Sequence, residues 1–346
     1  MPMIDWATAA GVGVRLAPAG PDVAADEANE AVAALTDAAA RAVTPVREVT
    51  GLIADPSVHE TAVVDRATWI RSNVDGLRVV LEPMEQRMLA QRPALAAGQL
   101  GAKASALELG AALSWLATKV LGQYEAFTPT GEAGRLLLVA PNIVAAEREM
   151  EVPAADFRMW VCVHEETHRV QFGAVSWLSD YFRSEIDVFL GGVDLDGAAA
   201  LKRLGVVGLE VVRILAGDRR ASIIDAVQTP AQREVFARLT ALMSLVEGHA
   251  EWVMDSVGPE VIPSVAELRS KFNRRRSSPS AGEGLLRRLL GMDAKMRQYA
   301  DGRIFVDRVV EMSGVEGFNQ VWQSPQSLPR KAEIANPPAW VRRVLG

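Results

Sequence analysis

Apolar positions recur at helical spacing along most of the chain. Val64, Trp69, Ile70, Val74, Leu77, Val80, Leu81 and Met84 fall mostly three or four residues apart, which places them on one side of an α-helix spanning about 64–92. Asn73 and Gly76 are candidate breaks in that segment. Pro83 is a candidate kink, because proline lacks the amide hydrogen and crowds the preceding turn. Residues 22–42 are rich in Ala, the strongest helix former, with Asp22 placed to cap the first turn. Pro45 and Thr50-Gly51 mark the end of that unit. A further helix is expected over 102–123, where small residues let neighbouring helices approach closely. Others are expected at about 195–216, 230–257, 264–276 and 284–300.

One stretch breaks this rhythm. Gly134-Arg-Leu-Leu-Leu-Val-Ala-Pro141 is a short continuous apolar run between Gly and Pro, the pattern of a strand rather than a helix. A helix follows from Pro153 to about Gly173, with proline suited to its first turn. The fold class expected is therefore mainly α, with a short strand element ahead of one helix. Pro325, Pro329, Pro337 and Pro338 suggest an extended C-terminal tail on the surface, anchored by Trp322 and Trp340. Three regions follow: a helical part over 1–130, a core over 131–260, and a helical and proline-rich part over 261–346. They can also form one continuous domain.

Composition narrows the function classes. The chain has 346 residues, 49% hydrophobic and 23% charged, the balance of a folded protein rather than a disordered one. With 37 Lys+Arg against 43 Asp+Glu the net charge is −6, so the chain lacks the basic excess of a generic nucleic-acid binder. The run Arg274-Arg-Arg276 carries no interleaved aromatic residues and reads as a solvated helix end in an exposed loop. A single cysteine, Cys162, excludes an intrachain disulfide and a cysteine-based zinc knuckle. No basic and apolar leader opens the sequence, and no run approaches ~18 uninterrupted apolar residues. A cytoplasmic protein without membrane or nucleic-acid partners is expected.

The chemistry concentrates in His164-Glu165-Glu166-Thr167-His168, within the helix predicted from Pro153. Residues four apart lie one turn apart on one helix face, so both imidazoles can reach one metal ion. Glu165 lies about 100° around the helix, where it addresses the water on the metal rather than the metal itself. Zinc lowers the pKa of that water to about 7, within reach of a carboxylate base. Phe157, Trp160 and Val161 before the motif, and Phe172 after it, turn this face inward. A catalytic zinc site needs a third protein ligand and an open position. Leu245-Val-Glu247-Gly-His249-Ala-Glu251-Trp252 offers three candidates. Glu247 and Glu251 share a face, and His249 lies about 200° from Glu247, so the ligand is a glutamate or His249. Cys162, Met243 and Met254 read as core residues, and His59 as a loop residue without a catalytic role.

Glu247-Gly-His-Ala-Glu251 resembles the E-G-x-A segment of gluzincin metallopeptidases, in which the first Glu is the third zinc ligand. The strand ahead of the H-E-x-x-H helix resembles the zincin edge strand that aligns the substrate backbone. Over nearly its full length the chain resembles an actinobacterial zincin-like family of hydrolases or metallopeptidases associated with coenzyme F420 biosynthesis. The matching pieces run in order from Asp5-Trp6, Gly20-Pro21, Thr50-Gly51 and Val64-Asp-Arg66 to Trp69 and Asn73. They continue with Val152-Pro-Ala-Ala-Asp-Phe157, the H-E-x-x-H helix, Val246–Glu251, Lys295-Met-Arg-Gln-Tyr299, Trp322 and Leu328-Pro329. The resemblance implies a zincin-like core holding Zn2+ on His164, His168 and Glu247, with Glu165 as general base. It implies a peptide or other amide as substrate. Glu251 is a candidate to orient a ligand imidazole, and Tyr299 is the tyrosine chosen as oxyanion donor among Tyr124, Tyr181 and Tyr299. The alternatives are a zinc-binding interaction protein without catalysis and a hydrolase of non-peptide amides. No glycine-rich dinucleotide fingerprint is present.

Overall fold

The computed structural model describes residues 3–54, 60–91, 99–128, 134–191, 230–277 and 292–346. His59 and the helix expected at 195–216 lie outside the described residues. The fold is mostly helical with a small three-stranded sheet. The first half runs α1 (Trp6–Leu16), α2 (Ala25–Thr50), β1 (Thr61–Val64), α3 (Arg66–Gln91), α4 (Gln99–Leu116), β2 (Gly122–Glu125) and β3 (Arg135–Val139). Then follow α5 (Ala140–Met150), α6 (Ala154–Ala174), α7 (Leu178–Gly191), α8 (Pro230–Ser256), α9 (Gly258–Val261), α10 (Val265–Ser277) and α11 (Met292–Phe318). The chain ends in two 3-10 turns, Asn319–Trp322 and Pro325–Ser327, and two short helices, α12 (Lys331–Ile334) and α13 (Pro337–Val344).

Several boundaries differ from the sequence expectation for identifiable reasons. α2 runs through Pro45 and stops only at Gly51, whose φ of 68° provides the left-handed cap. Its buried stripe of Leu35, Ala38, Ala39 and Ala42 continues past the proline to Val46 and Thr50. Burial of that extra turn offsets the cost of proline, about 3 kcal/mol. α3 likewise passes through Asn73, Gly76 and Pro83. Asn73 is buried with its side-chain amide donating to the Trp69 carbonyl at 2.9 Å. The segment expected as helix to 123 ends at Leu116 and turns into β2. The tail is not extended: Pro325, Pro337 and Pro338 sit in the first turns of short helices, where a missing amide hydrogen costs nothing. Trp322 and Trp340 are buried there as expected.

The strand order is β1-β3-β2, with β1 parallel and β2 antiparallel to β3. Leu136, Leu137, Leu138 and Val139 are all buried. A strand covered on both faces reads as a continuous apolar run, which is why β3 is visible in the sequence. It is the central strand, so the expectation that Arg135–Val139 forms the edge is corrected. The edge strands are β1 and β2, which are only half-buried and carry mixed polarity.

Two apolar clusters build the interior. One gathers α1, α3, α4, α7 and α11 around Leu239, Leu242, Leu245 and Val246 of α8. The other gathers α2, α5 and α6 around Val253 and Met254 of the same helix. α8 therefore spans both, and Glu247 sits where one gives way to the other. Among the described residues no helix is long and apolar enough to cross a membrane.

Candidate metal centre

α6 is buried on nearly every side, from Phe157 through Gln171. Cys162 faces α2, with its sulfur 3.9 Å from the Leu35 carbonyl, and burial pushes its thiol pKa up. It is a core residue, as expected. His164 is the opening in this covered surface, with its side chain 22% exposed against 11% for His168. Both imidazoles face α8.

There they meet Glu247. His164 Nε2 lies 3.1 Å from His168 Nε2. Glu247 Oε2 lies 3.7 Å from His164 Nε2 and 3.9 Å from His168 Nε2. Donor atoms around a tetrahedral zinc, each about 2.0–2.2 Å from the ion, stand roughly 3.3–3.5 Å apart. The two nitrogens and the carboxylate oxygen are spaced close to that, and the donor set is one that zinc accepts. Among the described residues these three form the group able to hold a metal.

Of the other candidates on α8, His249 turns away. It is buried, stacks on Trp252 at 6.0 Å, and packs against Phe318 and Trp322. Burial, with His168 nearby, pulls its pKa down to about 3 and keeps it neutral. Glu251 lies 3.8 Å from Arg269. Met254, expected as plain core, places its sulfur 3.2 Å from His164 Nδ1. The side chain of Tyr299 lies outside the described residues, although its backbone belongs to α11.

Glu165 leaves α6 toward the sheet. A Cβ on Gly122 of β2 would stand 2.5 Å from Glu165 Cδ and 2.7 Å from Oε1. Only a bare α-carbon admits the carboxyl there. Burial raises the Glu165 pKa well above the carboxylate range, and the charge of Glu247 raises it further. Sequence reasoning missed this partner. The signal available was a lone Gly in Leu121-Gly-Gln-Tyr-Glu125, which carries no information until β2 is placed beside α6. The next turn of α6 holds a buried ion pair, Arg169 to Glu166 at 2.6 and 2.7 Å. Phe172 stacks on Tyr124 of β2 at 5.7 Å.

A second missed residue is Gln171, buried one turn beyond His168. Its Oε1 lies 2.9 Å from His168 Nδ1. Its Nε2 lies 2.9 Å from both the Val246 carbonyl and His249 Nδ1.

Residues 4–341 match the model of a family described as zincin-like metallopeptidase. The chain is also similar to a protein of Chloroflexus aurantiacus whose crystal structure is provisionally described as that of a hydrolase with a novel fold. Identity is 27%, the TM-score is 0.69, and the match covers 98% of each chain. Curated proteins give no significant match. With a family match over nearly its whole length and a His-His-Glu cluster on two facing helices, the chain belongs to the zincin-like metallopeptidase family.

Proposed function

We propose that the protein is a zinc-dependent amide hydrolase, most simply a peptidase, with zinc held by His164, His168 and Glu247. The observation that carries this reading is the convergence of His164 Nε2, His168 Nε2 and Glu247 Oε2 to within 3.9 Å. Three protein ligands and a part-exposed His164 leave the open position of a catalytic site, whereas structural zinc sites are closed by four. A zinc ion there supplies Lewis-acid polarisation and an activated water.

The chain's own residues divide the remaining work. Glu165 is the proton carrier. Enclosed beside Gly122 and one residue from His164, its carboxyl would take a proton from water and deliver it to the leaving nitrogen. Edge strand β2 supports an extended substrate. The Val139 amide donates to the Leu121 carbonyl at 2.8 Å, and the antiparallel register continues through Gln123–Leu137 and Glu125–Arg135. Alternation then turns the backbone groups of Gly122 away from β3. A peptide backbone bonded to Gly122 would lie beside Glu165. This role of β2 favours a peptide over a compact non-peptide amide. Tyr299 remains the proposed oxyanion donor, through the family segment Lys295–Tyr299.

The test is elemental analysis of the purified protein beside a His168→Ala control, followed by Glu165→Gln on peptide and amide substrates. About one zinc in the parent and little in the control is expected. Glu165→Gln is expected to keep zinc and lose at least about 100-fold in rate. A parent that takes up no zinc, or a Glu165→Gln protein as active as the parent, would refute the reading. A zinc-bound parent inactive on every amide would leave the interaction-protein alternative standing.

A further inference from the structure

The amide of Gln171 has three partners, and one of them decides its direction. The Val246 carbonyl can only accept a hydrogen bond, and it faces Nε2 at 2.9 Å. Turning the amide over would set carbonyl oxygen against carbonyl oxygen inside the core, where an unpaired polar group is costly. With the nitrogen fixed toward Val246, its second hydrogen goes to His249 Nδ1 at 2.9 Å. The amide oxygen is left facing His168 Nδ1, also at 2.9 Å. An amide oxygen only accepts, so that ring nitrogen must carry the proton.

This has a consequence on the far side of the ring. The His168 atom that faces His164 and Glu247 is Nε2. A neutral imidazole protonated on Nδ1 presents its lone pair at Nε2, the form a metal requires. We infer that Gln171 is a positioning residue for His168: its amide, anchored by the Val246 carbonyl and His249, holds His168 with its proton on Nδ1 and leaves Nε2 free to bind metal. His249 then acts without touching the metal, as the far anchor of that amide, with its ring held among Trp252, Phe318 and Trp322. The inference rests on the metal centre proposed above, but the tautomer is a property of the metal-free chain. It assigns the orienting role to Gln171, three residues after the second His of the motif, rather than to Glu251.

The experiment reads the tautomer first. Long-range 15N–1H spectra of the metal-free protein at pH 8, with His168 assigned from a His168→Ala sample, report which ring nitrogen bears the proton. Nδ1–H is expected in the parent, and Nε2–H as its main form would overturn the inference. Gln171→Met keeps the side-chain volume and removes the acceptor. It is expected to shift His168 toward Nε2–H and to weaken zinc binding by about 10- to 100-fold in chelator competition. Gln171→Glu restores an acceptor and is expected to bring back the Nδ1–H signal, a rescue that a packing role would not produce. Unchanged tautomer and affinity in Gln171→Met would overturn the inference, as would equal losses in both variants with Nδ1–H retained. If Gln171→Met fails to fold, the parent spectrum still decides. If the parent binds no zinc at all, the proposed function falls while the tautomer result stands by itself.

Discussion

The two carboxylates at this site, Glu247 and Glu165, have different surroundings, and those surroundings set different work for them. Glu247 points at the two imidazoles, while Glu165 is enclosed against Gly122 of β2. That contact makes Gly122 a sensitive position. In Gly122→Ala the new methyl would meet Glu165 at 2.5 Å, so the carboxyl or the strand must move. We expect zinc content to stay at the parent level and the hydrolytic rate to fall by about 100-fold, since a displacement near 1 Å at a catalytic group has that effect. Parallel metal analysis and kinetics check it. The third ligand is decided by a similar comparison. Glu247→Ala should lose zinc, while His249→Ala should weaken zinc binding only through Gln171; full zinc in the first and none in the second would reverse the assignment.

Helix contacts set how precisely Glu247 is held. Gly248 of α8 and Gly302 of α11 meet backbone to backbone. A Cβ on Gly302 would stand 2.1 Å from the Ser244 carbonyl oxygen, and one on Gly248 would stand 2.2 Å from the Gly302 carbonyl carbon. Gly302→Ala would force the two helices apart. A loss of about 3 kcal/mol in urea unfolding is expected, together with weaker zinc binding, because Glu247 adjoins the crossing. At the C-terminus, Arg343 binds Glu333 through two hydrogen bonds at 2.6 and 2.7 Å and also donates to the Gln326 and Leu328 carbonyls. Burial alone would raise the Glu333 pKa, but bonds from Arg343 and the Arg330 amide outweigh it and lower it below 4.5. The sign follows from proton linkage. The unfolded chain takes up that proton first as pH falls below 4.5, so stability present at neutral pH is lost toward the lowered folded value. Thermal unfolding of Glu333→Gln should therefore fall less steeply with acid than that of the parent. Prolines open two of the short helical turns here, Pro325–Ser327 and Pro337–Val344, which a count of prolines alone reads as an extended tail.

Across the whole molecule, the three proposed metal ligands join α6, packed on α2 and the sheet, to α8, which links both apolar clusters. The sheet crosses the chain in the same way, with β1 and β2 coming from before residue 130 and β3 from after it. A ligand bound between such elements stabilises the native state by mass action. Free zinc at about 100 times its Kd should add about 2.7 kcal/mol to unfolding. Chelator should remove that gain, and His168→Ala should show neither effect. Denaturant titrations with and without zinc measure it.

Local periodicity determined much of this protein before any tertiary contact was known. H-E-x-x-H placed two imidazoles on one face because helical spacing is a local property, and the apolar run at 135–139 marked a strand, whose central place in the sheet only the tertiary structure decided. What spacing along the chain cannot carry is which distant segments meet. Which of three candidates on α8 lies beside the two imidazoles depended on how α8 lay against α6, and it is Glu247. Gly122 was an unremarked glycine until β2 passed Glu165. Gln171 was a polar residue on an apolar helix until Val246, 75 residues away, gave its amide a direction. Those assignments depend on long-range packing, which decides where each buried hydrogen bond finds its partner.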